Sequence, residues 1–187
     1  MELNFIVFPS PKISPSLLAE YESELIFIPK HNKHVTNDCC SHFPEYTYIP
    51  CIFLPSLTSV LSKNFCIYFH GNAEDILISR DIADYLRSNI NMNILVVEYP
   101  GYSLYTEEKN CYKVLEDSLV VFDYLKDTLK ISENNIYVIG RSIGTSPAIY
   151  LSSKRKPAGM CLMSPYTSIR AVVEHKGGIF QYLVSDL

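Results

Sequence analysis

From residue 64 onward, short apolar runs alternate with segments whose apolar residues recur at helical spacing. The apolar runs are NFCIYFH (64–70), NILVVEYP (93–100), NIYVIG (135–140) and AGMCLMSP (158–165). Continuous apolar runs of this length are typical of strands buried on both faces of a sheet. The segments 73–90, 110–131 and 143–153 lie between them and read as helices. The alternation predicts an α/β fold with a mostly parallel sheet covered by helices on both faces.

The residues before this region predict a different start to the fold. Segments 23–30 and 46–55 are rich in β-forming residues and predict an antiparallel hairpin with a long polar connection. Pro50 and Pro55 predict that the second of these strands is bent or lies at a sheet edge, because proline donates no ladder hydrogen bond. Residues 1–22, which contain three prolines, are expected to form an N-terminal arm on the surface.

Composition narrows the function classes. The 187 residues carry a net charge of −4 and are 48% hydrophobic, so no basic face for a nucleic acid is expected. No apolar run reaches the length of a membrane span, and the N-terminal apolar run has Glu2 rather than the basic region of a signal peptide. Six cysteines without regular spacing favour a reduced intracellular protein over a disulfide scaffold.

The stretch YVIGRSIGTSPA contains a match to the motif G-x-S-x-G, with Ser142 at its centre. An apolar strand precedes the motif and a helical segment follows it, which is the setting of a nucleophilic serine on a tight turn. Gly140 and Gly144 leave room for such a turn to pack against its neighbours. The alternative is a glycine-rich turn that joins a strand to a helix without chemistry.

A second stretch, FHGNAED, also follows a buried strand and opens a helix. Acyl transfer develops negative charge on a carbonyl oxygen, which two backbone N–H groups stabilise well. We expect these groups to be the amides of Ile143 and Asn72, with Gly71 allowing close approach of the backbone to a substrate.

Two ionisable residues of the same stretch are assigned structural roles. His70 is expected to tie the loop by a hydrogen bond and not to act as the catalytic base. Asp75 lies three residues after Asn72 at a helix start, so capping of the helix is favoured over catalysis.

Four stretches together resemble a known family. They are IYFHGNAED, VVEYPGYS, NIYVIGRSIGTSPAIYL and LMSPYTSIR. In order and spacing they are similar to the α/β-hydrolase fold and, within it, to the ABHD-type intracellular serine hydrolases, which include protein depalmitoylases. The resemblance implies Ser142 as nucleophile and Asn72 and Ile143 as oxyanion donors. It also implies that Tyr99 and Tyr102 line the substrate pocket, and a turn with buried tyrosines is the alternative.

The other members of a catalytic triad do not follow in the expected order. In this family the chain order is serine, acid, histidine. After Ser142 the sequence offers Glu174, His175 and Asp186, with the histidine before the aspartate. We therefore expect residues 23–187 to be an incomplete α/β-hydrolase domain without its last strands, triad acid and triad histidine. The strand near residues 158–164 would then have an unpaired edge.

The polar connection holds His31, His34 and His42 together with Cys39 and Cys40. This set leaves open a zinc site or an acylation site, but the cysteines are adjacent rather than spaced for one metal, and a solvated insertion is favoured. No metal and no cofactor is predicted. A dinucleotide-binding or P-loop α/β domain is disfavoured, since neither of their glycine-rich motifs occurs.

The sequence and the resemblance together predict hydrolysis of an acyl ester or thioester through a Ser142 acyl-enzyme, with protein-bound palmitate among the candidate substrates. The expected location is the cytoplasm, with peripheral association with membranes left open. The alternative is a catalytically incompetent chain or pseudoenzyme that binds an apolar ligand or a partner.

Overall fold

The computed structural model describes residues 15–31, 46–57 and 62–168. Three expectations lie outside these residues. They are the arm over residues 1–14, the site considered for the side chains of His31, His34, Cys39, Cys40 and His42, and the expectation that Glu174, His175 and Asp186 do not complete a triad.

The described residues form one six-stranded sheet and four α-helices. The strands are β1 (Leu25–His31), β2 (Tyr46–Leu54), β3 (Phe65–Phe69), β4 (Asn93–Val97), β5 (Ile136–Arg141) and β6 (Gly159–Met163). The helices are α1 (Pro15–Glu20), α2 (Ile76–Ile90), α3 (Cys111–Asp123) and α4 (Thr145–Lys154). A π-helical turn, Tyr124–Thr128, extends α3, and a 3-10 turn, Ser142–Gly144, joins β5 to α4. Helix α1 was not predicted.

The strand order is β1-β2-β4-β3-β5-β6. The first two strands form the expected antiparallel hairpin, and β2 is antiparallel to β4. The remaining contacts, β4 with β3, β3 with β5 and β5 with β6, are all parallel. The prediction of a mostly parallel sheet with an N-terminal antiparallel hairpin is confirmed, and the carboxyl ends of four strands meet at one edge.

Helices cover both faces of the sheet. Helix α2 packs on one face, where its Ile76 and Ala83 join a cluster with Tyr68 and Val96 of the central strands. Helices α3 and α4 pack on the other face, and their buried residues join a second cluster with Ile67, Leu95 and Val138, among others. Alternate residues of β3, β4 and β5 point to opposite clusters, which explains why apolar residues follow one another directly in these strands.

The prolines of β2 predicted either a bent strand or a strand at the sheet edge, and the edge position is wrong. Strand β2 lies inside the sheet, between β1 and β4. It pairs with β4 only over residues 51–54, and Pro50 lies just beyond this stretch, where its carbonyl oxygen accepts from the Glu98 amide at 3.0 Å. Pro50 keeps this one bond through its carbonyl oxygen and, having no N–H to return to Glu98, marks the end of the β2–β4 pairing.

The prediction that β6 is a fourth buried strand is also wrong. Three of its five residues are exposed, including Met160 and Met163. Among the described residues β6 pairs only with β5 and forms the outer edge of the sheet. An edge position was expected for this strand, and the strand order confirms it for the described part of the chain.

A candidate active site at the carboxyl edge of the sheet

Ser142 follows β5 directly and begins the 3-10 turn that leads into α4. Its φ is +51°, in the left-handed region that side chains other than glycine rarely adopt. The Thr145 hydroxyl donates to the Ser142 carbonyl oxygen at 2.7 Å, which helps to hold the turn. Strain of this kind at a strand-to-helix turn is the backbone signature of a serine held out on an elbow.

The two glycines of the motif are required by packing. A Cβ at Gly140 would lie 2.4 Å from the Gly144 carbonyl oxygen. A Cβ at Gly144 would lie 2.2 Å from the carbonyl oxygen of Phe69, the last residue of β3. The turn that carries Ser142 therefore lies directly against the beginning of the loop after β3.

That loop begins with His70, which is completely buried. Its Nδ1 lies 3.0 Å from the Gly71 carbonyl oxygen, and its Nε2 lies 3.1 Å from Glu98 Oε1. Both ring nitrogens thus face partners within the protein. Because a carbonyl oxygen can only accept, Nδ1 is the donor in its contact with Gly71.

Glu98, at the end of β4, is the buried carboxylate that joins the loops of this edge. Besides its contact with His70, Glu98 accepts hydrogen bonds from the amides of Ile76 and Tyr99, at 3.2 and 3.0 Å, and from the hydroxyl of Ser103. A buried carboxylate is tolerated when several donors compensate for lost hydration. The loop after β3, the first turn of α2 and the loop after β4 are therefore fixed to one another.

Tyr99 and Tyr102 lie in the loop after β4 and are both buried. Burial raises the pKa of each hydroxyl above its usual value, and the Glu98 carboxylate raises it further. Both therefore stay protonated and donate. The Tyr99 hydroxyl donates to the His70 carbonyl oxygen at 2.8 Å, and the Tyr102 hydroxyl donates to Asn72 Oδ1 at 3.1 Å.

A cavity of about 150 Å³ opens beside the turn that follows Ser142, with Ile143 in its wall, and is lined mostly by apolar surface. Its walls include Ile143, Tyr99 and Tyr102. Both tyrosines therefore border the cavity, and both are also buried, so the two alternatives predicted for them hold together. Ser146 also lines it and shares a hydrogen bond of 2.6 Å with the hydroxyl of Tyr166. The cavity suits an apolar group held next to the strained turn.

Asp75 caps α2, as predicted, but not in the way the spacing suggested. It is itself the N-cap residue, and its carboxylate accepts from the Ile78 amide at 2.8 Å. Burial raises the pKa of the Asp75 carboxyl above its usual value, and the bond from Ile78 opposes this. The carboxylate stabilises a helix terminus.

Sequence reasoning missed three charged residues at this edge, Glu74, Glu98 and Arg141. Arg141 forms an ion pair with Glu74 of the loop after β3. A carboxylate at the end of an otherwise apolar strand, as in NILVVE, is a signal that could have identified Glu98. No comparable pattern marks Glu74 and Arg141, which are 67 residues apart in sequence.

The strand order, the strained serine after β5 and the packed loop after β3 are those of an α/β-hydrolase fold. Solved structures agree: an alpha-beta hydrolase from Vibrio vulnificus matches with a TM-score of 0.69 and 14% identity, over 94% of this chain and 61% of that one. The fold class predicted from the sequence is confirmed, and the chain has the α/β-hydrolase fold.

Curated relatives place the chain near particular α/β-hydrolases. It is 28% identical over 130 residues to the putative alpha/beta hydrolase L404 of Acanthamoeba polyphaga mimivirus, covering 67% of this chain and 48% of that protein. It is 32% identical over 123 residues to the human alpha/beta hydrolase domain-containing protein 17B, covering 64% of this chain and 41% of that protein. The resemblance to ABHD-type hydrolases is thus confirmed.

Two further findings describe how far these matches extend and what the helices allow. The chain spans less than half the length of the two curated relatives, and no protein-family model matches it. Within the ranges that the structure describes, no helix is both long and apolar enough to cross a bilayer.

Proposed function

We propose that this chain is a serine hydrolase that cleaves an acyl ester or thioester, with Ser142 as the nucleophile. The observation that carries the proposal is the positive φ of Ser142 at a strand-to-helix turn that depends on two tightly packed glycines. Backbone strain that the surrounding packing enforces in this way clusters at active sites and ligand-binding turns. The similarity to α/β-hydrolases supports the same assignment.

In the proposed reaction, Ser142 Oγ attacks the acyl carbonyl carbon and forms a new C–O bond. The carbonyl oxygen takes up negative charge and accepts from the backbone amides of Asn72 and Ile143. The bond to the leaving alcohol or thiol then breaks, which leaves an acyl-enzyme that water hydrolyses.

The base that takes the serine proton is not assigned. His70 is the only histidine whose side chain lies within the described ranges, and both of its nitrogens already have partners. Its role in the proposal, with Gly71, Gly140 and Gly144, is to support the geometry of the site.

The apolar cavity supports an acyl substrate, with Tyr99 and Tyr102 on its walls. At about 150 Å³ it has the size of cavities that hold a benzene-sized group, so a longer acyl chain would extend beyond it. From the resemblance to depalmitoylases we also propose protein-bound palmitate as a candidate substrate. A lipidated protein at the cytoplasmic face of a membrane would then be the partner.

Labelling with a fluorophosphonate probe tests the proposal. The wild-type chain should be labelled, and Ser142→Ala should abolish the label. Ser153→Ala is the matched control because Ser153 is an exposed serine near the other end of α4, and it should label like the wild type. A folded wild-type chain that labels no faster than Ser142→Ala would refute the assignment.

A second function is favoured by the apolar cavity of about 150 Å³, which could hold a ligand without any chemistry at Ser142. The alternative is a catalytically incompetent chain or pseudoenzyme that uses this cavity to bind an apolar ligand or partner. It predicts that the chain binds a fluorescent fatty acid, that Ser142→Ala binds it equally well, and that neither protein reacts with the probe.

A further inference from the structure

The ion pair between Arg141 and Glu74 spans the two segments on which the proposed chemistry depends. Arg141 immediately precedes Ser142, and its Nη1 contacts Glu74 Oε1 in the loop after β3. The other carboxylate oxygen of Glu74 accepts from the Gly71 amide at 3.3 Å and from the Ser79 hydroxyl at 3.0 Å. Glu74 is therefore held by its own loop, by α2 and by the end of β5.

The pair also packs over the loop backbone. A Cβ at Gly71 would lie 3.1 Å from Glu74 Oε1 and 3.2 Å from Arg141 Nη1. Asn72 lies between Gly71 and Glu74 in sequence, so residues on both sides of it are held by this pair. Ile143 lies two residues after Arg141 on the neighbouring segment.

The loop is thus anchored at two points. Its first residue, His70, is fixed to Glu98 in the interior. Its far end is fixed by Glu74 to Arg141 at the rim. The segment between these anchors carries the Asn72 amide, and the second anchor leads directly to the turn that carries the Ile143 amide.

We propose that Arg141 and Glu74 are a positioning pair that sets the spacing between the Asn72 and Ile143 amides of the oxyanion hole. The inference rests on the proposed function, and it assigns no contact with substrate to either side chain. Preorganised donors stabilise a developing oxyanion because they need not move during the reaction. A displacement of about 1 Å in such a site costs on the order of 10²-fold in rate.

The partial exposure of the pair limits what its loss should cost in stability. The Arg141 side chain is 36% exposed and that of Glu74 is 16% exposed, and ion pairs near the surface contribute little to folding. The Arg155–Asp123 pair is a matched control, with side chains 31% and 34% exposed. Arg155 lies at the opposite end of α4 from Ser142, so it tests the loss of an ion pair without changing the site.

The experiment compares Arg141→Gln, Glu74→Gln, the double variant, Arg141→Lys and the control Arg155→Gln. The second-order rate of fluorophosphonate labelling and the amide hydrogen exchange of residues 70–74 are both measured. We expect each single Gln variant to label about 10- to 100-fold more slowly than the wild type. The double variant should be no slower than the slower single variant, because both remove the same contact.

The remaining variants separate positioning from general destabilisation. Arg141→Lys should recover part of the labelling rate, since it keeps a positive charge facing Glu74. Residues 70–74 should exchange faster in Arg141→Gln at a nearly unchanged melting temperature. Arg155→Gln should match the wild type in labelling and in exchange over residues 70–74.

The outcomes distinguish this inference from the proposed function. Labelling of Arg141→Gln at the wild-type rate, or a loss of labelling that only follows unfolding, overturns the positioning role. A wild-type chain that is not labelled overturns the proposed function instead, and hydrogen exchange then decides the inference. Faster exchange at residues 70–74 in Arg141→Gln supports it, and unchanged exchange overturns it.

Discussion

Strands β4 and β6 are similarly apolar in sequence but lie in very different surroundings. All five residues of β4 are buried, with strands on both sides and helices over both faces. In β6 three of five residues are exposed, and among the described residues it has one neighbouring strand. The contrast shows that an apolar run specifies a strand, whereas burial depends on which elements cover it.

The active-site candidate lies between these two regions. Strand β5 pairs with β3 on one side and with β6 on the other, and Ser142 follows its last residue. The loop that faces Ser142 comes from the buried side of the sheet and is held there by Glu98. We therefore expect substitutions on the β3–β4 side to affect both stability and reactivity, and those in β6 to affect neither strongly.

Cysteine alkylation should show the largest difference between the two regions. Burial raises the pKa of the Cys66 thiol in β3 to about 12, so little of the reactive thiolate forms even at pH 9. Cys161 in β6 is exposed. Peptide mapping after iodoacetamide treatment at pH 7 to 9 should find Cys66 modified on the order of 10³-fold more slowly than Cys161, because Cys66 reacts only after opening of the fold. Comparable rates at the two cysteines would contradict the buried centre.

Truncation of a core side chain should show the next largest effect. Leu95 in β4 is 1% exposed, and Leu95→Ala should lower the free energy of unfolding by about 2–5 kcal/mol. Met160 in β6 is 44% exposed, and Met160→Ala should change it by about 0.5 kcal/mol or less. Urea denaturation measures both. Equal losses would mean that β6 is covered as well as β4.

Two glycines, Gly144 next to the candidate active site and Gly159 in β6, allow the same comparison of buried and exposed surroundings. In Gly144→Ala the new Cβ would meet backbone atoms of Phe69 and His70, which cannot easily move. We expect a loss of about 1–3 kcal/mol in unfolding free energy and slower fluorophosphonate labelling. In Gly159→Ala, at the start of β6, the Cβ would lie 3.2 Å from the Tyr137 ring, which can shift. A Gly144→Ala protein as stable and reactive as Gly159→Ala would argue against the packed turn.

The smallest change in stability is expected at Met163 in β6, whose exposure is 36%. Met163→Lys should change the unfolding free energy by no more than about 0.5 kcal/mol. A lysine on an edge strand opposes strand-to-strand association, so the variant should aggregate more slowly on heating, as followed by light scattering. A large loss of stability would show that this face of β6 is covered.

Local sequence patterns were sufficient for the strands, most of the helices and the position of Ser142, because each depends on neighbouring residues. The edge position assigned to β2 failed because sequence alone does not show that β4 pairs only with residues 51–54, so that Pro50 stands at the end of the ladder and not within it. The Arg141–Glu74 pair could not be predicted, since contacts between segments 67 residues apart arise only when the sheet assembles.

In the proposed function the Ser142 hydroxyl is the nucleophile, and an acyl group should therefore become attached to it. The folded chain is incubated with p-nitrophenyl acetate and quenched with acid, and the modified peptides are mapped by mass spectrometry. We expect an acetyl group on the peptide that contains Ser142, and its loss in Ser142→Ala. A folded chain that carries no acetyl group, or carries it only on another residue, would show that Ser142 is not the nucleophile.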